Sequence, residues 1–507
     1  MFTEERVVVG IDLGTSTAKV LAVTESGTVV GRARAGYRQY RPRTGWVEQA
    51  PDDWWAAVRL AVRESLRDVE PRRVKAVGLS GQLNGVVLMD EQGQPLRNAL
   101  IWLDQRACEQ AQRIQDRFQD LLKQAGHGTV TGLHVLAKLL WHMENEPRVV
   151  EKTARILFPK DYINFRLTGQ FATDTSDPGA AAMLDMRRRD WAAELLAAVG
   201  IPPAWLPPVH ESPEVIGYVT PEAAALTGLP EGIPVVAGAG DMAALAVGTG
   251  VVKPGTACAS IATAGHVAIH LDAMPDALDE RLWLMCHAVP GKYFWHGLVL
   301  TGGHCLDWFR LTFGQAERAA AQLLEASEYD LLLADAAGVP AGSQGLLFLP
   351  FLDGVATPFH DAAARAAFVG ATSLHRKKHF VRAVLEGVAY NFRDSFAIAE
   401  SMGVAVDEVR TGEGGSRSRL WRQILADVLG RDVVPLREHD CSALGAACIA
   451  GAGAGVWRDL EEAVTVAVQH EEPVPADPRN KAVYDRGYAL YRELYAALKD
   501  VFPKLDR

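Results

Sequence analysis

Short apolar runs alternate with longer amphipathic stretches along this chain, and glycine-rich turns separate them. Residues 7–13, Val-Val-Val-Gly-Ile-Asp-Leu, read as a buried strand. Gly14-Thr15-Ser16-Thr17 makes a tight turn, and 19–23 return as a second strand. A further strand is expected at 27–32. In 52–69 the residues Trp54, Trp55, Val58, Leu60, Ala61, Val62 and Leu66 lie near helical spacing, with Pro51 ahead of them and Asp52 able to cap. Strands follow at 74–79 and 86–89. From residue 233 the series begins again. An apolar strand over 233–241 runs into Gly238-Ala239-Gly240-Asp241, then a small-residue helix at 242–248. Residues 255–270 read strand, turn, strand, with Ala262-Thr263-Ala264-Gly265 at the bend. Helices are expected at 376–401, 418–429 and 478–502. Alternating strands and helices predict an α/β fold. The repeated hairpin predicts two related domains, 1–250 and 251–475, dividing near 245–255, and a C-terminal helix within 476–507.

Composition narrows the class. The chain has 507 residues, 52 basic against 62 acidic, for a net charge of −10. That length suits two sizeable cores, and the acidic balance argues against general nucleic-acid binding. Six cysteines stand at 108, 258, 286, 305, 441 and 448, with no C-x-x-C pair. Reduced, mostly packed thiols are expected. The opening residues carry acids and have no leader layout. The longest uncharged stretch, 441–457, is Ala/Gly-rich and shorter than the roughly 20 apolar residues a spanning helix needs. The expectation is a cytoplasmic enzyme with no membrane and no nucleic-acid partner.

Three segments carry candidate chemistry. Asp12-Leu-Gly14-Thr15-Ser16-Thr17-Ala-Lys19 offers a phosphate the N–H groups and hydroxyls of a turn. Asp12 suits the water shell of magnesium, and Lys19 could neutralise a terminal phosphate. The bland reading is an ordinary polar hairpin. Asp241, following two glycines, could accept the proton of a bound hydroxyl, or merely cap the helix behind it. Residues 411–418, Thr-Gly-Glu-Gly-Gly-Ser-Arg-Ser, let a base or phosphate approach the backbone ahead of a helix. No Walker A sequence occurs, since Gly291-Lys292 is followed by Tyr293.

In chain order these pieces resemble the FGGY family of carbohydrate kinases, of the actin/hexokinase/heat-shock ATPase type, and above all its xylulokinase members. The resemblance rests on residues 11–16, the Trp46-Val-Glu48-Gln49-Ala-Pro51-Asp-Asp-Trp54 segment, 78–82, 101–106, Pro159-Lys160-Asp161-Tyr162, Thr173-Asp174-Thr-Ser176-Asp177, Gly240-Asp241, 349–352, 386–388, 412–427 and 443–447. It implies two ribonuclease-H-like domains flanking a central cleft, with sugar mainly on the first and ATP mainly on the second. It implies Asp241 as general base and Asp12 organising Mg2+ through water, the two acids together being the candidate metal residues. Gly14, Thr15, Ser16 and Lys19 would face the terminal phosphate, and Thr263 and Gly265 would hold phosphates from the other side. Gly303, Gly414 and Gly415 would line the adenine. Gln82, Leu83, Asn84, Trp102, Asp104 and Met242 would surround a sugar or polyol. A homodimer is a family-level expectation.

Some positions depart from the xylulokinase pattern. Leu83-Asn84 stand where Met-His is usual, and Met242 where Asn is usual. The second turn lacks its first glycine and a hydroxyl, and 353–358 lack a Glu-Arg pair. The first expectation is a ketopentose such as D-xylulose. Another ketose, a polyol or a sugar acid (ribulose, gluconate, glycerol or erythritol type) stays open, as do a sugar-binding pseudokinase and a chaperone-like or filament-forming ATPase. His375-x-x-x-His379 is read as a solvated loop or a helix start, Arg187-Arg-Arg189 as a solvated face, and the tyrosines of 484–495 as a packing stripe.

Overall fold

The computed structural model describes residues 5–505; the first four residues of the opening stretch read above lie outside them. The two halves repeat one sheet plan. In the first, the strands run in the order Val215–Tyr218, Pro234–Val236, Val74–Gly81, Val7–Leu13, Thr17–Thr24 and Val29–Gly36, with Ala239–Gly240 also pairing on Val74–Gly81. In the second the order is Trp283–Cys286, Tyr293–Val299, Gly265–Leu271, Gly255–Ile261, Val406–Thr411 and Val433–Pro435. Each sheet has an antiparallel hairpin whose first strand pairs in parallel with a strand arriving by a helical crossover. Each therefore has strand ends of one polarity opening on the same side, where ligands of open α/β sheets bind.

The sequence pattern explains the layers. Val7–Leu13 is buried at every position, as expected of a strand covered on both faces. Val29–Gly36 alternates, because it is the edge. Helices Asp241–Gly248 and Cys441–Gly453 lie between the sheets, packed on each other, and the second also covers the first sheet. Glycines make this possible. A Cβ at Gly10 would stand 2.0 Å from the Ala443 carbonyl, and one at Gly78 2.4 Å from that of Ala446. Where the two helices cross, a Cβ at Gly248 would stand 1.8 Å from the Cys441 carbonyl and one at Gly445 1.9 Å from that of Ala244. The uncharged Ala/Gly stretch is thus an inter-layer helix. Among the described residues no helix is long and apolar enough to cross a membrane.

Several local expectations need correction. The strand expected at 27–32 is Val29–Gly36, because Gly27, at φ 84°, closes a turn onto Thr24. The single strand expected over 233–241 breaks at Gly238, φ 74°, into Pro234–Val236 and Ala239–Gly240. Of the two readings of His375 and His379, the helix start holds and the solvated loop does not, since both are buried. Their Nδ1 atoms accept the N–H groups of Thr372 (2.8 Å) and Arg376 (2.9 Å), closing the start of helix Lys377–Ser401. Arg189 is also no solvated charge. It pairs with Glu211 at 2.6 Å and lies 5.4 Å from the Tyr293 ring centre. The tyrosine stripe does pack, with Tyr484 and Tyr491 fully buried. The six cysteines are unpaired and all but Cys108 are buried.

Candidate active site

The first hairpin and the crossover strands assemble the acids. Asp12 lies opposite Lys19 in the antiparallel register and opposite Ser80 in the parallel one. Ser80 Oγ donates to Asp12 Oδ1 at 3.0 Å. Ala239–Gly240 pairs with Ser80–Gly81, so Asp241 emerges beside Asp12. Asp241 is the first helical residue; Gly240 occupies the cap position, and no side chain caps the helix. The cap position thus belongs to Gly240 and not to Asp241. Burial, then the charge of Asp12, pushes its pKa up to about 8 against the pull of backbone N–H groups of Met242, Leu83 and Asp241 itself. Asp12 is raised by burial too, opposed by Lys19 and by the Ser80 hydroxyl. For Lys19 burial works against the charge, but Asp12, Glu413 and Asp440 outweigh it and hold the ammonium. Lys19 Nζ lies 3.3 Å from Asp440 on the second half.

Both turns present bare amides. Gly14 N–H closes the first turn onto Thr17, and Ala262 N–H closes the second onto the Ala264 carbonyl at 2.9 Å. The N–H groups of Thr15 and Ser16, and of Thr263 and Ala264, have no backbone acceptor among the described residues. Such adjacent donors form an anion-binding concavity. The substitutions that set the second turn apart therefore leave its donors in place. Gly265 is different: it is enclosed, and a Cβ there would stand 2.4 Å from Phe392. Gly303 donates to the Ala262 carbonyl at 2.8 Å and stacks on the turn. A Cβ at Gly415 would meet Ile261 at 2.4 Å, whereas at Gly414 it would meet nothing within 4 Å. Of these glycines, Gly414 is the one that faces open space.

Residues 82–84 and Trp102 border the first turn and the start of the Asp241 helix. Leu83 leans over Gly240, where a Cβ would stand 2.1 Å from its Cδ2, and Leu83 and Met242 border the same apolar cluster. Gln82 Oε1 and Asn84 Oδ1 are buried acceptors without a partner among the described residues. Asn84 sits at φ 59°, a conformation asparagine tolerates. Trp102 is half-buried, and its Nε1 donates to Thr15 Oγ1 at 2.9 Å. Asp104 is the exception. It is fully buried, accepts Val47 N–H at 2.6 Å and is clasped by Arg106 at 2.8 Å. Its oxygens are spent on holding the 101–106 segment, so it stands behind the site.

Sequence reasoning missed several supports. Lys138 is fully buried, and its Nζ donates to the carbonyls of Asn84 (2.7 Å), Ile101 (2.8 Å) and Leu133 (2.7 Å), tying the segments around residues 84 and 101 together. Gln49 donates to the Thr15 carbonyl at 2.7 Å and accepts from Trp54 Nε1 (3.0 Å) and Gln82 Nε2 (2.8 Å). The 46–54 segment is therefore a bracket for the first turn. Glu413, at φ 66° and ψ −174°, comes close enough to Lys19 and Asp12 to feel their charges. Burial lifts its pKa to about 7, against Lys19 and with Asp12 adding to the rise.

A repeated sheet plan carrying two such turns matches known proteins. The N-terminal domain of the FGGY family of carbohydrate kinases matches residues 7–248, and its C-terminal domain residues 256–454. The chain belongs to the FGGY family of carbohydrate kinases. It is 32% identical over 496 residues to the xylulose kinase of Bacillus subtilis (strain 168), covering 97% of each chain. The xylulose kinase structure from Rhodospirillum rubrum matches at TM-score 0.87 and 34% identity, over 98% of this chain and 100% of that one. The gluconate kinase structure from Lactobacillus acidophilus matches at TM-score 0.90 and 25% identity, over 99% and 100%. As an FGGY kinase, the protein is a sugar kinase that takes its phosphoryl group from ATP.

Proposed function

We propose that this FGGY kinase phosphorylates a ketopentose such as D-xylulose, with Asp241 as general base. The observation that carries the reading is the setting of Asp241: an acid raised to about 8 by burial, next to Gly240, which is covered by Leu83 between two residues with buried acceptors lacking donors. A sugar hydroxyl bonded to Gln82 Oε1 or Asn84 Oδ1 would supply those donors, and buried acceptors are costly to leave unmet. The Trp102 ring and the apolar flanks of Leu83 and Met242 suit the C–H faces of a neutral sugar. Gln82, Leu83, Asn84, Trp102, Asp241 and Met242 include no cation, which disfavours a sugar acid.

The hydroxyl oxygen bonds to the γ-phosphorus of ATP while the bond to the ADP oxygen breaks, and the hydroxyl proton passes to the Asp241 carboxylate. Lys19 and the bare N–H groups of both turns meet the transferring charge. Gly414 gives the nucleotide room on the second half. No group of three His, Cys, Asp or Glu among the described residues is arranged to hold a metal. Asp12 and Asp241 fit magnesium, which takes one or two carboxylates and completes its shell with water and phosphate oxygens. When bound, it neutralises phosphate charge. Unpaired, largely buried thiols suit a reducing cytoplasm.

The test is ATP consumption against a panel of ketoses, polyols and sugar acids, with Asp241→Ala alongside. D-xylulose is expected to drive turnover, and the variant to lose about 10²–10⁴-fold. Preference for gluconate would overturn the substrate; full turnover by the variant would overturn the base.

A further inference from the structure

Lys160 is fully buried. Its Nζ lies 2.5 Å from Asp161 Oδ1, 2.9 Å from Asp174 Oδ1 and 3.1 Å from Asp177 Oδ2. A lysine among three aspartates, all at or near zero exposure, is an expensive arrangement, because each buried charge sheds its water. It touches neither Asp12 nor Asp241, but it connects to the second. Asp174 Oδ2 accepts the N–H (2.8 Å) and hydroxyl (2.5 Å) of Ser176. Ser176 Oγ then accepts the N–H of Gly240 at 2.8 Å. Gly240 is the residue before Asp241 and the cap position of its helix. Beneath it, Gly81, its partner in the sheet register, presses on Lys160, where a Cβ would stand 2.9 Å from the lysine Cβ.

The same loop is gripped twice more. Asn164 Nδ2 donates to the Ala237 carbonyl at 3.0 Å, and Gly238 N–H donates to the Ser212 carbonyl at 3.0 Å. Ser212 Oγ in turn reaches Asp174 Oδ2 at 3.4 Å. The strand that delivers Asp241 has only two residues after its break, Ala239 and Gly240, and so little ladder to fix it. Its aim depends on these ties, and Asp174 meets the hydroxyls of both Ser176 and Ser212.

We infer that Lys160, Asp174 and Ser176 form a positioning relay that sets the place of the Asp241 carboxylate without touching substrate. Lys160 fixes Asp174, Asp174 fixes the Ser176 hydroxyl, and that hydroxyl holds the last amide before the base. This rests on Asp241 being the base. Removing the hydroxyl leaves a buried N–H without a partner and lets the loop move, and a displacement of about 1 Å at a reacting group can lower a rate about 10²-fold.

The experiment compares Ser176→Ala, Ser176→Thr, Asp241→Ala and Ser176→Ala/Asp241→Ala. Ser176→Ala should lower kcat by about 10–100-fold, with KM for sugar and ATP within about threefold of the parent. Ser176→Thr, which keeps the oxygen, should restore most of kcat. On Asp241→Ala, the serine change should cost nothing more, because the group it aims is gone. An unchanged kcat, or an equal extra loss in the double variant, overturns the relay even if Asp241→Ala is dead. If Asp241→Ala is active, the base assignment fails instead, and the relay with it. Should Ser176→Ala not fold, Asp174→Asn carries the same comparison, since it weakens the hold of Lys160 while leaving Ser176 an acceptor.

Discussion

Lys138 and Lys160 are both fully buried, yet their surroundings drive them in opposite directions. Lys138 meets three backbone carbonyls. Burial takes its pKa down to about 7, with Asp104 pulling it up and Arg106 pushing it further down. Lys160 meets three carboxylates, and although burial again opposes its charge, Asp161, Asp174 and Asp177 outweigh it and hold the proton firmly. Carbonyl dipoles satisfy hydrogen bonds, but they do not repay the lost hydration of a full charge as carboxylates do. The two lysines serve different ends accordingly. Lys138 joins two sugar-side loops through neutral acceptors, and Lys160 anchors the loop of the proposed base through charge.

The largest effect should come from breaking the charged member. Lys160→Met strands three buried aspartates, and uncompensated buried charge costs about 3–5 kcal/mol. Urea unfolding should show that loss at pH 7. Burial raises Asp161 and Asp177 above their usual range, so acid should narrow the gap, because protonated aspartates need no cation. A loss under about 1 kcal/mol at pH 7 would mean the aspartates already hold their protons, and the contrast with Lys138 would collapse.

The hairpins were legible because fully covered strands are continuous apolar runs, as at Val7–Leu13. The two hairpin turns were legible for a subtler reason: their free donors belong to the backbone, so alanines at 262 and 264 change the motif without removing the amides. The supports were not legible. Lys138 meets carbonyls 54 and 37 residues away, and Ser176 meets Gly240 across 64; nothing local marks such pairs. Glu413 hid inside a glycine run, and its positive φ belongs to a region a side chain enters only under about 1–3 kcal/mol of strain. Asp104 did carry a signal that was passed over: Arg106 stands two residues on and claims it.

A moderate effect should follow from Lys138→Met. The methionine fills the space but donates nothing, leaving the Asn84, Ile101 and Leu133 carbonyls unmet. Since Asn84 and Trp102 follow from the tethered segments, KM for the sugar should rise about tenfold, equivalent to about 1.4 kcal/mol of binding, while kcat and KM for ATP stay near the parent. Steady-state kinetics with each substrate varied in turn would check this. A fall in kcat with sugar KM unchanged would move Lys138 from the sugar loops to the chemistry and erase the division of labour between the two lysines.

The last effect is the pH dependence of stability, and it separates the two lysines by sign. For Lys138 the folded pKa of about 7 lies below the ordinary 10.5. Below about pH 7 both folded and unfolded chains carry the proton, and the burial penalty is present in full. Between about 7 and 10.5 the folded chain has shed it and the unfolded chain has not, so stability gains with rising pH, by up to about 1.4 kcal/mol per unit. Lys160 has the opposite displacement: its contribution is complete below 10.5 and is lost only as pH climbs through its higher folded value. Unfolding free energies of the parent and of Lys138→Met, measured from pH 6.5 to 9.5 and subtracted, isolate the first effect from every other titration. The parent should gain on the variant as pH rises. A flat difference would mean the three carbonyls hold the ammonium as firmly as the aspartates hold Lys160, and that full donor matching, not opposite charge, is what keeps a buried lysine protonated here.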